Sequence, residues 1–151
     1  MKRLIIAAFL IFSAVGGAFA QRNPAPAIDR DPLLEQDAKH NLDVAWQAFR
    51  LKKAYKAVLM RFEETFAAYP QFSKIDEFLY LAGASSYYLS EGRGKQKVNP
   101  KNPKETEKFA PEKLRADAAV YLGILIEKHP ESKYIDEAKK ILEELKPKIG
   151  Q

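Results

Sequence analysis

Acid–base or nucleophilic chemistry needs titratable groups brought together, and this sequence offers few. His40 and His129 are its two histidines. His40 falls in a helical stretch and His129 stands before Pro130, positions that suit packing or surface roles better than ligation. Adjacent acids at Glu63-Glu64, Asp76-Glu77 and Glu143-Glu144 hint at a two-carboxylate hydrolase. On a helix, however, sequence neighbours point about 100° apart, so such pairs form solvated faces or caps rather than a couple flanking one bond. Cysteine is absent, which removes a thiolate nucleophile, a thiolate metal site and a disulfide framework. There is no glycine-rich phosphate loop, nucleophile elbow or zinc-ligand spacing. These residues point to a non-enzyme with no metal and no cofactor.

Two groups of residues are better suited to binding. The aromatics Trp46, Phe49, Tyr55, Phe62, Phe66, Tyr80, Tyr87 and Tyr88 fall mostly on buried helical stripes. Those at the edge of a stripe, Tyr80 foremost and then Tyr87 and Tyr88, could anchor a partner in the groove that stacked helix pairs create. The second group is cationic. Residues 91–110 carry Arg93, Lys95, Lys97, Lys101, Lys104 and Lys108 against Glu91, Glu105 and Glu107, a net charge of +3. Such a segment is either a solvated connection or a contact for anionic lipid, polymer or protein surfaces.

The elements that would position these residues are helices. Pro70, Ile75, Asp76 and Glu77 recur as Pro130, Ile135, Asp136 and Glu137, 60 residues on without a gap. Each proline follows an apolar stripe: Tyr55, Val58, Leu59, Phe62, Phe66 and Tyr69 before the first, and Ala118, Leu122, Leu125 and Ile126 before the second. A helix stopped by proline, a few polar residues and a new helix make a unit that is used twice. Asp31-Pro32 predicts the first helix start. Its face is Leu34, Ala38, Leu42, Ala45 and Phe49, and a turn is expected near Leu51 to Ala54, because one rod from Pro32 to Tyr69 would outrun a small domain. Ser73 and Ser132 are expected to cap the helices after the corners. Gly83 and its small neighbours predict a close helix approach, and the segment from Glu91 to Ala110, with Pro100 and Pro103, reads as a long, exposed, mobile loop before a helix that starts at Pro111. The expected fold is all-α: about five helices, or two and a half helix-turn-helix units.

The N-terminus reads as a targeting segment. Lys2 and Arg3, an apolar run from Leu4 to Val15, and Ala18-Phe19-Ala20 have the form of a signal peptide over residues 1–20. Residues 21–31, with Pro24 and Pro26, read as a flexible leader, and residues 32–147 as the helical domain. Cleavage would lower the net charge from +5 to +3, since residues 1–20 hold two cations and no acid. That mild charge gives no reason to expect nucleic acid. The expected product is exported, unlipidated for want of a cysteine, and without a transmembrane segment in the mature chain.

Tyr55, Val58, Phe62 and Tyr69-Pro70, then Gly83 and Tyr87-Tyr88, then His129-Pro130, Ser132, Tyr134 and Ala138 resemble tetratricopeptide repeats. The resemblance covers about residues 38–146. It is nearer to the periplasmic type of the outer-membrane protein assembly factor BamD and its YfiO-like relatives. It implies a periplasmic interaction scaffold whose partners are envelope proteins, including barrel-assembly components, with association at the outer membrane. A Tol-Pal, cell-division-associated repeat protein shares the same corner. The alternative from a different class is a binder of anionic envelope surface or polymer through residues 92–108. BamD-type factors are lipoproteins with more repeats, and this chain departs from them in both respects.

Overall fold

The computed structural model describes residues 30–148. The signal peptide assigned to residues 1–20, and the leader up to residue 29, lie outside the described residues. Six α-helices and no strand occur among the described residues: α1 Pro32–Gln47, α2 Tyr55–Ala68, α3 Ile75–Ser90, α4 Pro103–Lys108, α5 Pro111–Lys128 and α6 Ile135–Leu145. No helix among them is long and apolar enough to cross a membrane.

The start of α1 follows from Asp31-Pro32. The Asp31 carboxylate accepts from the amides of Leu33 at 2.8 Å and Leu34 at 3.3 Å, and Pro32 occupies the first turn, where a missing N–H costs nothing. The expected break before α2 is real. A π-helical turn over Ala48–Lys52 ends at Lys53, which has φ 51°, and the Ala54 amide bonds back to the Ala48 carbonyl at 2.9 Å. This is a left-handed stop of the type usually assigned to glycine, so sequence places the break but not the residue that makes it.

The two proline corners repeat at the level of individual hydrogen bonds. Tyr69 donates to the Thr65 carbonyl at 2.8 Å, and His129 to that of Leu125 at 3.0 Å. Phe72 then donates to Tyr69 and Ile75 to Phe72, matched by Ser132 to His129 and Ile135 to Ser132. The caps differ from expectation. Neither α3 nor α6 has a side-chain cap. Ser73 instead donates to Glu35 of α1, and Ser132 donates to Asp76 Oδ2 at 2.7 Å, tying the second corner to the first turn of α3. The acids Asp76 and Glu77, and Asp136 and Glu137, still favour these uncapped starts, because carboxylates there oppose the positive end of the helix dipole.

α3 is the central helix: it packs on α2 and α5 and touches α1 and α6. Phe78, Leu81, Ala82 and Ala84 are fully buried, as are Leu122 and Leu125 of α5 opposite. The small stretch Gly83 to Ser86 permits this. A Cβ built on Gly83 would stand 2.5 Å from Leu122 Cγ, so the close approach expected from the glycine is present. α6 ends the stack. Ala138, Ile141 and Leu145 are buried inward, while Lys139, Lys140, Glu143 and Glu144 are exposed, which is the polar outer face a repeat array needs at its end. The chain is an all-α helical repeat of paired helices, α1 with α2 and α3 with α5, closed by α6. Two positions expected on buried stripes are exposed: Phe66 stacks on Phe62 at 5.3 Å but is 42% exposed, and Leu34, in the first turn of α1, is 39% exposed.

Residues 91–110 are less loop-like than their prolines imply. Pro103 starts α4, with Asn102 as N-cap accepting from the Glu105 amide at 3.4 Å, the same device as Asp31-Pro32. The segment is also tied down. The Lys95 amide donates to the Lys53 carbonyl at 2.9 Å, and Gln96 Oε1 accepts from the Ala57 amide at 3.1 Å, an amide in the first turn of α2 that is shared with the Ala54 carbonyl. Lys56 reaches both the Lys97 carbonyl at 2.8 Å and the Glu105 carboxylate, which it holds below the usual carboxylate range. Gly94 has φ +95° and lies so close to the Lys53 carbonyl that any Cβ would stand 2.7 Å from it. Glycine is required there on both counts. The segment is therefore a strap that holds the start of α2, with Phe109 buried beneath it.

Candidate functional site

The face shared by α1, α3 and α6 is aromatic. Trp46 comes from α1, Phe49 from the π-helical turn that follows it, Tyr80 and Tyr88 from α3, and Tyr134 from the residue before α6. Their rings are continuous: Tyr80 stacks on Tyr134 at 4.5 Å and 9°, Tyr134 lies 5.7 Å from Trp46, and Phe49 stacks on Tyr88 at 6.0 Å. Spacing explains the assembly. Trp46 at the end of α1 and Phe49 in the π-helical turn that continues it sit three apart, so both turn towards α3, and Tyr80 and Tyr88 lie about two turns apart on α3. Trp46, Phe49, Tyr80 and Tyr88 are partly exposed, whereas Tyr134 is buried. Aromatic pairs of this kind each contribute about 0.5–1.5 kcal/mol beyond area burial.

One carboxylate organises the face. Glu77 Oε2 accepts from Trp46 Nε1 at 3.1 Å and from the Tyr134 hydroxyl at 3.2 Å, so a single acid joins α1, α3 and the α6 corner. Two guanidiniums complete it. Arg50 lies 4.0 Å above the Trp46 ring and Arg93 lies 4.2 Å above Tyr88, and both arginines are exposed. Burial, and after it the neighbouring Tyr88, Glu137 and Tyr134, push the Tyr80 hydroxyl up to about 12, against the pull of Arg50. Burial, then Glu77, raises Tyr134 as well.

These raised tyrosines fix a sign for alkaline stability. An unfolded tyrosine ionises near pH 10. Between that value and about 12 the folded chain keeps a proton on Tyr80 that the unfolded chain releases. Stability is thus complete below pH 10 and falls as pH rises towards 12. Tyrosinate absorbance should show this delayed ionisation, and Tyr80→Phe should lessen the decline in urea midpoint over the same window. Normal titration of Tyr80 at pH 10 would contradict the burial described.

The structure separates the tyrosine pair of α3. Tyr88 joins the aromatic face with Tyr80. Tyr87 is 5% exposed and donates its hydroxyl to Glu144 at 2.6 Å, so it is a joint between α3 and α6. The basic residues also divide. Arg93 belongs to the aromatic face, and Lys97 donates to the Gly92 carbonyl at 2.8 Å. Among the described residues, Lys95, Lys101 and Lys104 are exposed and have no side-chain partner. Sequence reasoning missed Glu77 and Arg50 as members of the site. Arg50 carried a signal, since it lies four residues after Trp46, where a helical side chain covers its predecessor.

Fold and site together define an all-α helical repeat whose shared helix face presents aromatic rings and guanidinium groups. No protein-family model, no curated protein and no solved structure matches the chain.

Proposed function

We propose that the protein is a non-catalytic interaction scaffold of the periplasm, acting in outer-membrane protein assembly or another envelope complex, with a partner segment seated on the aromatic face. The observation that carries this reading is the run of partly exposed rings across α1, the π-helical turn after it and α3, topped by the exposed Arg50 and Arg93. Tryptophan, tyrosine and arginine are the residue types that dominate binding energy at interfaces, and here the fold already holds them in place, which lowers the entropic cost of association. The tetratricopeptide resemblance and the export-like N-terminus support the envelope setting. The test is site-specific photocross-linking in cells, with the reactive residue at Arg50 and, as a control, at Met60, an exposed apolar residue of α2. Barrel-assembly components should be trapped from position 50 and not from position 60. Equal trapping from both positions, or none from position 50, would count against the reading.

The unpartnered Lys95, Lys101 and Lys104 favour a second reading, in which the strap contacts an anionic envelope surface. Binding of that kind weakens steeply with ionic strength.

A further inference from the structure

Where the strap leaves α3 and returns to α5 it borders a half-open pocket of about 280 Å³. Leu89, Val98, Phe109 and Pro111 supply apolar walls, and Arg93 and Lys97 supply the charge. None of the three acids of residues 91–110, Glu91, Glu105 and Glu107, lines it. Two of them are committed elsewhere, Glu91 to Lys148 at 2.7 Å and Glu105 to Lys56. Lys97 spends one N–H on the Gly92 carbonyl, which leaves its ammonium two donors. Arg93 lies over the Tyr88 ring and keeps the N–H edge of its guanidinium available for a carboxylate. The start of α5, which has no side-chain cap, borders the pocket through Pro111 and adds the positive end of an 18-residue helix.

These features select one kind of occupant. An acyl carboxylate uses both parts of the lining: a neutral apolar molecule would gain nothing from the two cations, and a small inorganic anion would leave the apolar walls uncovered. At about 30 Å³ per water-sized group, the space takes about nine non-hydrogen atoms. We propose that this pocket binds a medium-chain acyl carboxylate, its head group accepting hydrogen bonds from Lys97 and Arg93 and its chain lying against Leu89, Val98 and Phe109. The pocket shares Arg93 with the aromatic face, but the inference rests neither on the partner reading of that face nor on the surface contact of the outer lysines.

Calorimetric titration of the purified chain with octanoate, octan-1-ol, acetate and inorganic phosphate tests it, together with amide chemical shifts to locate the binding. Octanoate should bind saturably and shift the amides of Gly92, Val98 and Phe109. Octan-1-ol should bind at least about tenfold more weakly, and Arg93→Gln and Lys97→Gln should each weaken octanoate by about tenfold, the size expected for losing a charged hydrogen bond. Acetate and phosphate should not compete at matched concentration. Val98→Trp should block binding by filling the space. If that variant fails to fold, the two glutamine variants carry the test, since both side chains are exposed. The proposal is overturned if octanoate binds the double glutamine variant as tightly as the parent chain, if octan-1-ol matches it, if phosphate displaces it, if the shifts fall on the aromatic face, or if no saturable binding occurs.

Discussion

Gly83→Val is expected to cost about 3 kcal/mol or more of folding stability, a large share of the roughly 5–15 kcal/mol that holds a domain of this size folded. The glycine faces Leu122, and an added Cβ would stand 2.5 Å from Leu122 Cγ and 2.6 Å from Cδ2, inside any real carbon contact. Leu122 is fully buried, so it has no free space into which to turn. Gly83→Ala gives a sharper test of cause. Helix propensity alone would make alanine stabilising by about 1 kcal/mol, whereas overpacking of a filled interior costs about 1–3 kcal/mol. The contact therefore predicts no gain, and a net loss if Leu122 cannot shift. Urea unfolding followed by circular dichroism reads both variants. Leu122→Ala alone should cost about 2–5 kcal/mol by leaving a cavity, yet in the Gly83→Val background it should cost far less, because the valine occupies the space it vacates. Simple additivity of the two changes would mean that α3 and α5 do not meet at this point.

Glu77→Ala carries the next largest effect. The carboxylate is the shared acceptor for Trp46 Nε1 and the Tyr134 hydroxyl, one partly buried and one buried. Its removal strands two donors, each worth about 1–3 kcal/mol when left unsatisfied, and because Trp46 is partly exposed a loss in the lower part of that combined range, about 2–4 kcal/mol, is expected. The ion pairs with Lys74 at 3.7 Å and Lys133 at 3.9 Å add little, because both lysines are well exposed. Glu77→Gln keeps an acceptor oxygen without the charge and should fall between the two. Trp46 is the sole tryptophan, so its fluorescence reports the site directly. Its emission should shift in Glu77→Ala before global unfolding, as the indole loses its anchor. If the alanine variant unfolds at the same urea concentration as the parent, Glu77 is not the joint between α1, α3 and α6.

The same residue shows how far sequence reasoning reached. Asp76 and Glu77 read as neighbours that must diverge on a helix, and they do: Asp76 accepts from Ser132, and Glu77 accepts from Trp46 and Tyr134. That they diverge is a local property, fixed by helical geometry. Which partners they meet is not, because those partners lie 31 to 57 residues away. The serine caps failed for a related reason. Ser73 and Ser132 had the right type and spacing for capping, but carboxylates of other helices stood within reach and turned the hydroxyls towards Glu35 and Asp76; Ser132 Oγ accepts only from the Tyr134 amide, one residue before α6, at 3.4 Å. The helix α4 was overlooked although its signal was present, since Asn102-Pro103 followed by Glu105 has the same form as Asp31-Pro32.

Sequence alone determined the elements whose causes are local. Asp31-Pro32 starts the first helix, Pro70 and Pro130 close two equivalent corners, and the apolar spacing gives an all-α repeat with a close approach at Gly83. These follow from backbone geometry, missing amide protons and helical periodicity, all of which act within a few residues. Only the tertiary structure decided that Tyr88 is offered to solvent while Tyr87 is locked to Glu144, that Trp46 and Tyr134 share one acid, and that a segment rich in lysine folds back as a strap over α2. Those outcomes depend on which surfaces meet once the helices have packed, and burial, charge pairing and ring stacking are settled between residues that the chain order keeps far apart.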